Sequence, residues 1–459
     1  MAVDLTQTAI DPADPEHQAF LADLQGGILK GHGRDYTAHL FIRFDTGNQP
    51  AARRWISDFA RNYITTAQSQ NEQAEAFKAA RQESGGGVFA NLFLTAAGYL
   101  ALGYPADRIP RDSEARFNSG MKSRQRALGD PAVSEWQKEF QQDIHGLALL
   151  ASDHRDEIER ASSEVKSQLT RFSASVWQEN GSRWYNDAGL DIEPFGYVDG
   201  VSEPVFFKKA VEKARSDGAD KWDSSAPLGL VLSRDPNGAG EDSYGSFLVY
   251  RKLEQDVIGF QRWVHALASK LGVTPELVGA YAVGRFEDGT PVVLQDRSSG
   301  GPPENNFNYA ADAAGAKCPF HSHVRKVNPR GDTGKLIEAR VTLEEERAHR
   351  IVRRGVPFGR PEDIGKSAVG LLFLCFQGDI ARQFEVMQIV WANSVQFSEQ
   401  TTGLDPIIGQ LGVLPEGQKW PKKWGDLSAG AIRAPSVRCV TLKGGDYFFA
   451  PSVGFLRNI

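Results

Sequence analysis

Two α+β domains, each an antiparallel sheet with helices on one face, are predicted for this 459-residue chain by three observations. Each half reads as strand–helix–strand followed later by strand–helix, an order that suits an antiparallel sheet rather than a parallel one. The second half repeats the plan of the first in its local sequence. Hydrophobic and charged contents of 41% and 24% are those of a globular protein long enough to fill two cores. Together these point to the ferredoxin-like arrangement, present twice. Residues 1–215 are expected to form the N-terminal domain and 228–459 the C-terminal one.

The elements follow in order. Residues 38–44, AHLFIRF, alternate as a strand does, and 51–66 place Trp55, Ile56, Phe59 and Tyr63 at helical spacing. Residues 87–94 read as a second strand and 145–152, HGLALLAS, as a third. A long charged helix is expected over about 153–172. In the second half, SFLVYRKLEQDVIGFQRWVHAL at 246–267 echoes residues 38–59, down to the pairs Arg54-Trp55 and Arg262-Trp263. AVGLLFLCFQGDIARQFEVMQIV at 368–390 likewise echoes 144–166, which predicts a strand followed by a helix. The hydrophilic stretch 209–227 reads as a linker. Residues 297–336 are rich in Gly, Pro, Asn and Arg, and are long enough for a loop to suggest a functional segment.

Composition narrows the function. A net charge of −6, from 52 basic and 58 acidic residues, gives no reason to expect nucleic acid or an anionic membrane as partner. No apolar run approaches the ~18 residues of a membrane span. The N-terminal MAVDLTQTAIDPADPEHQ does not read as a signal peptide and carries no twin-arginine pair. Cys318, Cys375 and Cys439 lack CxxC spacing, so a cytoplasmic protein without a disulfide framework is expected.

Three segments could carry chemistry. CPFHSHVRKVNPR at 318–330 sets His321 and His323 among Arg325, Lys326 and Arg330. A histidine among cations can hold a metal whose cofactor also bears carboxylates, and haem fits that description. No HExxH motif or nearby carboxylate supports a non-haem site there. GYVDG at 196–200 presents Asp199 on a tight turn. HRIVRRGVPFG at 349–359 runs basic residues into a Pro/Gly turn. Taken singly, each is also what satisfied histidines, an ordinary turn or a solvated basic strand looks like.

Taken in order, the three segments resemble the dye-decolorizing peroxidases. The resemblance rests on the GxxDG acid at Asp199, the CPFxxHxRxxNPR histidine at His323 and the RIxRRGxPFG arginine at Arg353. LQGGILKGHGR at 24–34, SFLVYRKLEQDV at 246–257 and GLLFLCFQ at 370–377 extend it over most of the chain, in the manner of the family's longer branch. It implies a peroxidase with one haem b per chain that reduces hydrogen peroxide and oxidises dyes, phenolics or other bulky reductants through a high-valent iron state. A haem carrier or sensor of the same fold is the alternative. A monomer or a homo-oligomer fits equally.

The resemblance also implies roles. His323, rather than His321, would ligate iron, and Arg325 and Arg330, with Lys326, would meet the propionates. Asp199 would shuttle the peroxide proton, and as a weak base it predicts better activity at acidic than at neutral pH. Arg353, rather than Arg354, would stabilise developing charge and lower the Asp199 pKa. Leu371 and Phe373, two apart on a strand, would wall the peroxide side. A carboxylate on the other ring nitrogen of His323 is expected from the helix after GLLFLCFQ: Glu385, with Asp379 as the alternative.

Overall fold

The computed structural model describes residues 3–79, 87–333, 341–399, 401–410 and 417–459. In the first half, Tyr36–Phe44 (β1) leads into Gln49–Asn62 (α1), then Phe89–Leu94 (β2), Gly146–Ser152 (β3), Arg155–Leu169 (α2) and Ser173–Ser182 (β4). The strands lie in the order β2-β3-β1-β4, all antiparallel. Helix α1 begins with Pro50 in its first turn and buries Ala52, Trp55, Ile56, Phe59 and Ala60 along one stripe. Helix α2 carries Asp156 and Glu157 in its first turn, where the helix dipole favours them, and buries Ile158, Ser162, Val165 and Leu169.

The second half repeats this layout. Tyr244–Gln255 (β5) precedes Val257–Leu271 (α3) and Pro275–Val283 (α4), and the short helix His323–Val327 (α5) follows. Val356–Phe358 (β6), Gly370–Gln377 (β7) and Val440–Ala450 (β8) complete a sheet of order β6-β7-β5-β8. That order matches β2-β3-β1-β4 strand for strand. The two halves join where β8 meets β2 at Phe449 and Leu94.

The joined sheet curls until its ends meet. Gly181 on β4 packs so closely on β6 that an added Cβ would lie 2.5 Å from Val356 Cγ1. Inside the curl, Phe41 of β1 stands edge-on to Tyr250 of β5 at 4.9 Å and near Phe448 of β8 at 6.4 Å. Phe93 of β2 reaches Phe376 of β7 at 6.0 Å. Helices cover the outer face and this aromatic core fills the inner one. That is why β1 and β3 are buried almost throughout, with little trace of the alternation a half-solvated strand would keep.

Two expectations need correction. Residues 209–227 are not a plain linker, since Lys208–Ser216 form a helix with Val211 buried. The helix expected after β7 is reduced to a π-helical segment, Val386–Ala392. Such a widened turn is common beside functional sites, and Phe384, Met387 and Gln388 at this segment line a cavity.

One buried ion pair ties the halves together. Both guanidinium ends of Arg251 on β5 reach Asp130, at 2.9 and 2.5 Å, with side chains 3% and 0% exposed. Asp130→Ala strands a buried cation and should cost about 3–5 kcal/mol, measured by denaturant unfolding. A variant as stable as the parent would contradict this account.

Candidate active site

A cavity opens between the two halves. Its walls are largely apolar, with Phe195, Leu253, Val324, Ile351, Leu371 and Phe373 among them. Leu371 and Phe373 are the two partly exposed positions in the first four residues of β7, where the alternation turns both toward the cavity.

The 196–200 turn carries Asp199 into this space. Gly196 and Gly200 have φ of 99° and 76°, the left-handed region that glycine enters without strain. The Asp199 N–H donates to Asp191 O at 3.0 Å and the Val198 N–H to Glu287 O at 3.0 Å. Asp199 Oδ1 accepts the Gly200 N–H at 2.7 Å and Arg353 Nη1 at 2.6 Å. Arg353 belongs to a two-residue strand, Val352–Arg353, paired with β7 opposite Cys375. Each side chain of the pair is about one-third exposed, 32% for Asp199 and 33% for Arg353, and both border the cavity. Burial opposes ionisation of Asp199, but Arg353, the Gly200 N–H and the more distant His323 outweigh it and hold its carboxyl below the usual value. Burial likewise disfavours the Arg353 cation, which Asp199 and Glu203 keep firmly protonated.

His323 opens α5 and borders the same cavity, with 23% of its side chain exposed. Its Nδ1 lies 2.8 Å from Asp405 Oδ2, and Asp405 is wholly buried. Burial alone would raise the Asp405 pKa; the imidazole and the N–H groups of Ile407 and Ile408 reverse this and keep it low. An ionised carboxylate only accepts hydrogen bonds, so Nδ1 carries the proton and the Nε2 lone pair is left available.

The neighbouring residues depart from the sequence reading. Glu385 is not the carboxylate on this ring. It accepts Arg124 Nε and Nη2, both at 2.9 Å, and the Tyr447 hydroxyl at 3.0 Å. Asp379 instead caps turns, accepting the Ser113 and Arg382 N–H groups. Asp405 was missed because it follows the β7 segment by some distance; its one signal is an Asp-Pro step between Gly403 and Gly409, another acid on a glycine-flanked turn.

The cations expected around the cofactor are spent elsewhere. Arg325 is fully buried against Asp312, Asp332 and the Cys318 carbonyl, and Lys326 donates to the carbonyls of Ala392, Ser394 and Gly403. Arg330 is buried on Asn305, Phe307 and Ser202, and its Nε has no partner among the described residues. Of these residues Ser202 lines the cavity and the three cations do not; the cations that do are Arg251, Arg285, Arg350 and Arg353. His321 is buried edge-on against Trp420 at 4.3 Å, outside the cavity lining.

These donors fit haem. Among the described residues no group of three or more His, Cys, Asp or Glu converges on a metal site. A single imidazole with a free Nε2 suits an iron that brings its own macrocycle, apolar walls suit the macrocycle's faces, and Arg285 and Arg350 offer positive charge for propionates.

A second, larger cavity adjoins the first and shares Glu193, Asp199, Gly200, Pro204, Arg353 and Leu371 with it. His32, Arg34, Lys208 and Lys209 also line it. Glu193, common to both cavities, has its carboxyl pushed up to about 7 by burial, against the Phe195 and Tyr197 N–H groups and the Gln255 amide that favour the anion.

Comparison with known proteins agrees with this geometry. Residues 23–183 match the DyP dimeric alpha+beta barrel domain, and 288–403 the C-terminal part of Dyp-type peroxidases. The multifunctional dye peroxidase DyP2 of an Amycolatopsis species is 38% identical over the whole of both chains, and its structure superposes with a TM-score of 0.90. The structure of an Anabaena DyP-type peroxidase superposes with a TM-score of 0.92 at 44% identity, covering 99% of this chain and 98% of its own. A dye-decolorizing peroxidase solved with 2,6-dimethoxyphenol is 26% identical, with a TM-score of 0.74 over 95% of this chain and 98% of its own. The chain therefore belongs to the dye-decolorizing peroxidases, and it is a haem-dependent peroxidase.

Proposed function

We propose that the chain holds one haem b in the smaller cavity and uses hydrogen peroxide to oxidise organic reductants such as dyes and phenolics. One observation carries this reading: a carboxylate-bonded imidazole and a carboxylate–guanidinium pair border the same apolar cavity. A carrier or sensor would need the imidazole but has no use for the Asp199–Arg353 pair. A phenol bound by a relative favours phenolic reductants here. A division into ferredoxin-like units 1–215 and 228–459 accords with a site that draws Asp199 from one and His323 and Arg353 from the other.

In this reading His323 binds the iron through Nε2. Asp405 fixes the ring by accepting Nδ1–H, and it draws that proton toward itself so that Nε2 becomes the stronger donor. When bound, haem would supply the redox chemistry that couples reduction of peroxide to oxidation of the reductant. Asp199 takes the proton from one peroxide oxygen and returns it to the other, which leaves as water. Arg353 supplies N–H donors and positive charge beside the reacting oxygens and keeps Asp199 ionised. Leu371 and Phe373 exclude water from the same side.

Replacing His323 with Ala should abolish or strongly shift the Soret band, and an unchanged band would remove His323 as ligand. Asp405→Asn should retain haem but raise its reduction potential, whereas Glu385→Gln should leave the potential unchanged; the reverse ranking would restore Glu385. Asp199→Asn and Arg353→Leu should bind haem yet slow the single-turnover reaction with peroxide by about 10²–10⁴-fold and 10²–10³-fold. Parental rates in both variants would defeat the assignment.

The pH dependence follows from the sign of the Asp199 shift. Its carboxylate is the active base and its pKa is lowered. The peroxide step should therefore persist below about pH 3.9, the usual Asp value, and be lost only as pH falls through the lower folded-state value. Stopped-flow rates across this range test it, and loss beginning well above pH 4 would contradict it.

A further inference from the structure

Glu203 stands four residues after Asp199 on the same loop, and the sequence offers no sign of a role for it. Both of its oxygens reach Arg353. Oε2 accepts the Arg353 backbone N–H at 2.8 Å, and Oε1 meets Arg353 Nη2 at 2.7 Å. The other guanidinium end, Nη1, is the one on Asp199 at 2.6 Å. Glu203 lines the larger cavity and not the smaller, whereas Arg353 and Asp199 line both. The loop itself is anchored between the two acids, where Ser202 Oγ accepts Arg285 Nη2 at 3.1 Å and Arg330 Nη2 at 3.2 Å.

We propose that Glu203 is the positioning residue of Arg353: it clamps the backbone and one end of the guanidinium from the larger cavity, so that the other end is held on Asp199. A long, flexible side chain would otherwise lose rotamer freedom at the moment of reaction; the clamp removes that freedom beforehand. Anchoring at two points also fixes direction, which a single ion pair does not.

The clamp has an electrostatic consequence. One guanidinium serves two carboxylates, so its pull on the Asp199 carboxyl is shared with Glu203. The charged or titratable groups facing Asp199 are Arg353, His323, Glu193 and Asp191. Those facing Glu203 are Arg353, Arg354, 3.9 Å away, and the buried Cys375 thiol, while Arg285 faces Arg353. Removing the Glu203 charge leaves this set more positive and should make Asp199 a stronger acid.

The inference rests on the roles proposed for Asp199 and Arg353, and its test separates the two. The resting haem protein is titrated by infrared difference spectroscopy without peroxide, the Asp199 C=O band being identified by its loss in Asp199→Asn. In Glu203→Gln, which is nearly isosteric, the midpoint of that band should move to lower pH by about half to one unit. The acid limb of the single-turnover peroxide rate should move with it. Glu203→Asp keeps the charge but is one methylene too short to hold both the Arg353 N–H and Nη2, so Arg353 loosens on Asp199 and the midpoint should rise. Haem content and melting temperature verify that each variant is folded. A midpoint unmoved or raised in folded Glu203→Gln, or one unmoved or lowered in folded Glu203→Asp, overturns the proposal. A parental peroxide rate in Asp199→Asn would instead overturn the role of Asp199, leaving the infrared midpoint to judge the clamp alone.

Discussion

The site depends on an arginine held across the molecule. Arg353 comes from a two-residue strand against β7, and the acids that hold it come from a glycine turn 150 or more residues earlier in the chain. A guanidinium in a largely apolar cavity is tolerable only when its charge is matched and its donors are used. Asp199 and Glu203 meet that condition together. The loop carrying them is secured by Arg285 and Arg330 at Ser202 and by the backbone bonds of 198–200. Loss of the match would release both the loop and the strand that frame the cavity.

The same rule explains the histidine side. Helix α5 is only five residues long and could not hold His323 in place unaided. It is set by buried charge instead: Arg325 between Asp312 and Asp332, and Lys326 among three carbonyls, with burial pulling the Lys326 pKa down to about 7. Through these contacts both cations anchor the helix. Asp405, anchored by the N–H groups of Ile407 and Ile408, then meets a ring whose position is already determined. Fold and site join at the curl of the sheet, which brings β5 and β7 to the cavity wall through Arg251, Leu253, Leu371 and Phe373.

Much of this was legible in the residues. Helix α1 follows from spacing, because a stripe of Trp55, Ile56 and Phe59 has one stable solution, and β3 from the short apolar run HGLALLAS. The doubled plan was legible too, since the 246–267 echo reproduces a strand and helix that local propensity already favours. It failed after β7, where the echo at 368–390 promised a helix and the chain forms a π-helical segment at the cavity. Tertiary demand there overrides the local pattern, whereas the helix at 208–216, which composition presented as a linker, is local in origin: Lys, Ala, Glu and Arg favour it and only Val211 is buried.

Residue order and local pattern account for the succession of elements, the apolar stripes and the residue types available for chemistry: an acid on a glycine turn, a histidine among cations, an arginine before a Pro/Gly turn. Which of them meet is a matter of long-range packing. Whether Glu385 or Asp405 reaches His323, and whether Arg325 faces a cofactor or two aspartates, depends on contacts between residues up to 82 positions apart in the histidine's case. Local spacing carries no information about such contacts, because they are set by how the curled sheet and its loops pack and by the need to leave no buried charge unpaired.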